Sequence, residues 1–74
     1  MKLIELDIKN IKLGLEIVSA IGNPGVVTEV VLEEDNLSKE PHERVRYDTI
    51  HMAWSNGKKS TVFHMNAEAI SIKE

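Results

Sequence analysis

The chain has no cysteine. Disulfide staples and thiolate zinc sites are therefore excluded, and nothing but packing supports the core. No apolar run reaches the roughly 18 residues that a membrane helix needs. The opening Met1-Lys2-Leu3-Ile4-Glu5 meets acid too early for the apolar region of a signal peptide, so a cytoplasmic protein is expected. Basic excess is missing too. Nine Lys and Arg face 12 Asp and Glu, for a net charge of −3, without the basic footprint of a nucleic-acid binder. Catalytic signatures are equally scarce. Neither GxxxxGK nor GxGxxG occurs, so no phosphate cradle is encoded. No Gly-x-Ser-x-Gly elbow occurs, and Ser55, Ser60 and Thr61 lack a histidine–acid partner at recognisable spacing. A chain this short is also expected to lack a ligand pocket of roughly 300 Å³ or more. Neither an enzyme nor a cofactor is expected.

What is present suffices for one small domain. The 74 residues are 42% apolar, too many for a disordered tail, yet close to the size at which one core stabilises a fold only marginally. The expected domain spans 1–74. Its charge is uneven: between Glu33 and Arg44, five acids (Glu33, Glu34, Asp35, Glu40, Glu43) accompany two bases (Lys39, Arg44), so this segment alone carries −3. It reads as an acidic loop at about 33–44 on a neutral body.

Alternation dominates the rest. Ile4, Leu6 and Ile8 alternate with Glu5, Asp7 and Lys9, predicting a half-buried N-terminal strand over Met1–Ile8, with a helix through Leu3–Val18 as the competing reading. The phase then changes to Ile11, Leu13, Leu15 and Ile17, which requires a turn or bulge; Gly14 marks a bend or a close backbone approach. Gly22-Asn23-Pro24-Gly25 reads as a type II turn with Pro24 and Gly25 at its centre. Val26–Leu32 follows as a strand buried on much of both faces. A second phase change at Asp48-Thr49, between Val45-Arg46-Tyr47 and Ile50–Trp54, predicts a bulge or corner. Asn56-Gly57 predicts a two-residue type I′ hairpin leading into Lys59–Met65. Asn66–Ala69 predicts one helical turn, and Ile70-Ser71-Ile72 a last strand.

From Ile11-Lys12-Leu13-Gly14 through Glu16-Ile17-Val18, Val26–Val30, Met52-Ala53-Trp54 and Asn56-Gly57 to Ile70-Ser71-Ile72, the chain resembles a small SH3-like barrel of the Tudor and KOW type. The resemblance implies an all-β, SH3-like barrel of five or six antiparallel strands, with a possible 3-10 turn before the last. It also implies a binding module rather than an enzyme. Tudor-type modules bind methylated side chains in an aromatic cage, which needs several rings around one cation. Only Tyr47, Trp54 and Phe63 are available. The two-residue loop pairs Trp54 with Lys59, Met52 with Thr61 and Ile50 with Phe63, sending Trp54 and Phe63 into the core, so no cage is expected. KOW-type modules contact RNA or ribosomal protein through basic loop residues, here Arg44, Arg46, Lys58 and Lys59.

The leading functional expectation is a non-catalytic protein-binding or accessory module. Its contact surfaces would be the acids Glu33, Glu34, Asp35, Glu40 and Glu43 and the edge of the N-terminal strand. The partner would be an unidentified protein, or a second copy of the chain. The alternative is a nucleic-acid-binding module using Arg44, Arg46, Lys58 and Lys59 around one end of the barrel. The same register places His64 diagonally across from His51, close enough for two imidazoles to share an ion. No third ligand falls in register with them, so both read as solvent-facing, as does His42. The acidic loop lacks the alternate-position oxygens and the glycine of a calcium loop.

Overall fold

The β-branched runs and glycine turns give five strands: β1 Glu16–Val18, β2 Pro24–Val31, β3 Thr49–Trp54, β4 Lys59–Phe63 and β5 Ser71–Ile72. They come from a computed structural model of the chain, which describes residues 1–34, 40–43 and 46–73. All five belong to one antiparallel sheet in the order β4-β3-β2-β1-β5. The first four strands run as a meander, and β5 returns to pair with β1 through Ile17↔Ile72 and Val18↔Ser71. A 3-10 segment, His64–Ala69, carries the chain from β4 back towards β5. The expected all-β fold with a short helical turn before the last strand is present. No helix among the described residues is long and apolar enough to cross a membrane.

The N-terminal strand is not formed. Leu3–Glu5 and Ile8–Asn10 are separate 3-10 turns, closed by the Leu6 N–H on Leu3 O (3.2 Å) and the Ile11 N–H on Ile8 O (3.2 Å). The same apolar residues carry a spacing of three, Leu3 to Leu6 and Ile8 to Ile11, which is the 3-10 repeat. Burial decides between the two periods: Leu3 is fully buried and Ile11 nearly so, while Ile4, Leu6 and Ile8 pack around them. Asp7 caps the second turn by accepting the Lys9 N–H at 3.0 Å. A short bridge, Lys2↔Ser71, is all the strand-like pairing this segment keeps.

Both hairpins use one device, which differs from either expected turn. In Trp54-Ser55-Asn56-Gly57 the Gly57 N–H donates to Trp54 O (3.0 Å), and the Trp54 N–H donates to Lys58 O (2.8 Å). Gly57 has φ +86°, but among the described residues none other than glycine has positive φ, Asn56 included. This is the three-residue loop, a type I turn followed by a glycine bulge, rather than type I′. The Ser19–Asn23 loop repeats it, with Gly22 N–H on Ser19 O (3.0 Å) and Ser19 N–H on Asn23 O (2.8 Å). The turn thus precedes Pro24 and Gly25, both of which lie in β2.

The extra loop residue moves the β3–β4 register by one. Ala53 faces Lys59, Met52 faces Ser60, His51 faces Thr61, Ile50 faces Val62 and Thr49 faces Phe63. Phe63 therefore leaves the core face and lies 40% exposed. In β2 the expected burial of both faces is replaced by a bulge at Thr28, between the pairs Val27↔Met52 and Glu29↔His51. The extra residue lets Val27 and Val30, three apart, meet Met52 and Ile50 on the core side. Of the bulge or corner foreseen at Asp48-Thr49, no bulge forms: Thr49 begins β3 in regular register, and the chain bends just before, at Arg46-Tyr47. The strand foreseen at Val45–Tyr47 begins outside the described residues, and Arg46 and Tyr47 lie in a bend. The core gathers Leu3, Ile11, Ile17, Val27, Ile50, Met52 and Ala67.

Candidate functional site

Surface chemistry separates along β3. At its start lies an acidic and aromatic end; at its finish lies a basic turn.

The acidic end is built by the two legs of the β2–β3 connection. Asp48 Oδ1 accepts the Glu33 backbone N–H at 3.0 Å, while its backbone O accepts the His64 N–H at 2.9 Å. One half-buried residue thus ties the exit of β2, the entry of β3 and the exit of β4 together. Thr49, the one buried polar residue among those described, donates its Oγ1–H to Tyr47 O at 2.9 Å. Val31, Thr49 and Phe63 form a row across β2, β3 and β4, on the face opposite Ile50 and outside the main core. Tyr47 covers that row edge-on: its ring centroid lies 5.3 Å from that of Phe63, at 61°. Tyr47, Phe63 and Met65 each keep between 40% and 49% exposure. Beside them a hollow of about 140 Å³ is lined by Glu33, Tyr47, Asp48, His64 and Met65.

Of the expected acidic contacts, Glu33 and Glu34 are exposed at this end, Glu40 is exposed further along, and Glu43 ends the 3-10 turn Pro41–Glu43. Asp35 lies outside the described residues, as does Arg44 of the basic set. Arg46 sits at this acidic end. Lys58 and Lys59 sit at the other, beyond the length of β3, about 20 Å at ~3.3 Å per residue. The basic residues therefore do not gather around one end. The other expected contact, the N-terminal strand edge, does not exist: that segment is bonded across β5 by Leu3 N–H on Ile70 O (2.8 Å) and Ile72 N–H on Met1 O (2.8 Å).

At the turn end, the Trp54 indole spans β2 to β4. Its Nε1–H donates to Ser60 Oγ at 2.9 Å, and its ring lies so close over Gly25 that a Cβ there would meet Cε3 at 2.5 Å. The missing side chain is what admits the ring. Open grooves flank it. One, of about 290 Å³, runs past Val26, Ala53 and Lys73. The other, about 380 Å³, lies between the hairpin tips beside Ile21 and Lys58. The latter exceeds the pocket size expected for so short a chain, because two projecting hairpins enclose it rather than the barrel interior.

The three rings do not converge, since Trp54 is at one end and the Tyr47–Phe63 pair at the other. Nor do the two histidines. The register change sets His51 Nδ1 2.8 Å from Thr61 Oγ1. His64, instead of facing solvent, is half-buried and donates its Nε2–H to Leu6 O at 2.8 Å, locking the N-terminal segment to β4. Among the described residues no three His, Asp or Glu side chains cluster in a metal-binding arrangement. Sequence reasoning missed the Tyr47–Phe63–Met65 patch. The signal that finds it is the three-residue reading of the Ser55-Asn56-Gly57 loop, which turns Phe63 outward.

No protein-family model matches the chain, and neither a curated protein nor a solved structure matches it.

Proposed function

We propose that the chain is an SH3-like barrel serving as a non-catalytic protein-binding module. The strand order and the 3-10 turn before β5 support the fold assignment. One observation carries the functional reading: three large apolar side chains, Tyr47, Phe63 and Met65, remain exposed together beside Glu33 and Asp48. Aromatic and methionine side chains are those enriched at interface centres, and a charged rim supplies steering and register. A partner segment of alternating apolar and basic residues has the matching chemistry.

The test is an amide NMR titration with an extended peptide alternating Lys or Arg with Val or Leu. Shifts should concentrate at Tyr47, Asp48, Phe63 and Met65. Phe63→Ala should weaken binding about ten-fold or more, as for a central apolar anchor. Neutralising Glu33 and Glu34 to Gln should cost roughly two- to five-fold each, the exposed ion-pair range. A peptide that moves none of these amides removes the reading.

A further inference from the structure

The sheet has an open side along β4. The Trp54 N–H donates to Lys58 O, and the His64 N–H donates to Asp48 O. Between those two points the β3–β4 ladder runs without a register shift. Bonded and non-bonded pairs alternate in an antiparallel ladder, so Ser60 and Val62 bond towards β3. The N–H and C=O groups of Lys59, Thr61 and Phe63 then point away from the sheet. Among the described residues β4 pairs only with β3. Its sequence, Lys59-Ser60-Thr61-Val62-Phe63, carries neither proline nor bulge, two of the devices that protect an exposed edge; a third, a lysine, stands only at its start.

The ends of this edge carry opposite chemistry. Lys58 and Lys59 stand at its start, and the exposed Phe63 stands at its finish, close to the hollow lined by Glu33 and Asp48. An antiparallel copy of the same strand reverses that order and matches it.

We propose that β4 pairs with β4 of a second copy of this chain, antiparallel about Thr61. The outward-pointing residues meet in pairs: Thr61 faces Thr61 of the partner, and Lys59 of each copy faces Phe63 of the other. Each lysine then lies over an aromatic ring and near the acids Glu33 and Asp48, a cation–π and ion-pair setting supplied twice by the two-fold axis. Parallel pairing would instead place lysine beside lysine. Threonine opposite threonine is a favourable cross-strand pair. The product is a continuous ten-stranded sheet. This inference rests on the protein-binding reading above and names its partner; five residues of edge make a small interface, so the dimer should be concentration-dependent.

Sedimentation of the full chain over a concentration series tests it. The mass should rise from 8.3 kDa towards twice that value. Thr61→Pro removes an outward N–H and the exposed Oγ1 contact with His51 but no bond of the β3–β4 ladder, and should give a folded protein that remains monomeric where the parent dimerises. Lys59→Glu should raise the dissociation constant about ten-fold by facing acid with acid. If Thr61→Pro fails to fold, amide exchange decides: Thr61 and Phe63 must gain protection as the parent concentration rises. A mass fixed at 8.3 kDa up to about 1 mM, the weak limit of useful affinity, overturns self-pairing, as does a dimer that survives both Thr61→Pro and Lys59→Glu. The peptide titration separates the two failures. A monomer that still binds the basic peptide loses the second copy as partner and keeps the protein-binding reading; a monomer silent to peptide loses both.

Discussion

At one edge of this sheet, β5 is covered by the chain's own N-terminus, through Lys2↔Ser71, Leu3 N–H on Ile70 O and Ile72 N–H on Met1 O. At the other edge, β4 offers three residues' worth of backbone donors and acceptors, and among the described residues no strand meets them. The covered edge belongs to a two-residue strand, the open one to a strand of five. A short edge is easily satisfied by a local segment with one buried anchor, whereas a long one calls for another strand. The difference is the ground for proposing β4, the side where Phe63 and Tyr47 are also exposed, as the interaction surface.

The largest effect should come from uncovering the closed edge. Leu3 is fully buried and holds the N-terminal turns against the core. Leu3→Ala should cost about 3 kcal/mol, much of the roughly 4–11 kcal/mol available to a domain of 74 residues. Urea unfolding measures the loss, and amide exchange at Ile72 should quicken with it. A loss below about 1 kcal/mol would mean that hydrogen bonds alone keep the cover in place, and the contrast between the edges would weaken.

Proline substitutions sharpen the contrast within β4. Ser60→Pro deletes an N–H that bonds to β3 and should cost at least about 2 kcal/mol. Thr61→Pro deletes one that points outward and should cost about 1 kcal/mol or less, including the exposed bond between its Oγ1 and His51. Equal losses would show that the alternation is misassigned, and the open edge with it.

How much of this the sequence carried follows from which rule each segment obeyed. Five strands, the closing one included, the bend at Gly14 and the 3-10 turn before β5 were legible, because alternation and glycine placement act locally. Tertiary packing decided the rest. Leu3–Ile11 carries periods of two and three at once, and only the fit of Leu3 into the core selects the second. Asn56-Gly57 is compatible with a two-residue and a three-residue loop, and that single residue moves Phe63 from core to surface. The acids Glu33 and Glu34 were found from charge alone, whereas the aromatic patch beside them depended on a register that no local rule fixed.

That loop choice has its own measurement, smaller in effect. Gly57→Ala forces an alanine to φ +86° and should cost about 1–2 kcal/mol. Asn56→Ala loses only the Oδ1 acceptor of the Lys58 N–H, a 3.0 Å bond, and should cost about 0.5–1 kcal/mol. A type I′ turn would demand positive φ at both positions. Losses of equal size would therefore restore the two-residue loop, return Phe63 to the core face and remove the aromatic anchor from the open edge.

The smallest effect probes what holds the closed edge. Lys9 Nζ lies 4.0 Å from Glu34 Oε1, and both side chains are more than half exposed, at 69% and 62%. An exposed pair at that distance is screened by water and salt, and gains little over the entropy of holding two long side chains together. Lys9→Ala should change stability by less than about 0.5 kcal/mol, with no added dependence on salt. Leu3 and Lys9 both tie the N-terminal segment to the rest of the domain, Leu3 in the core and Lys9 at Glu34, so the ratio of their effects apportions that attachment between burial and charge. A Lys9→Ala loss approaching that of Leu3→Ala would make the N-terminal cover an electrostatic latch that salt could open, exposing β5 to the kind of pairing proposed for β4.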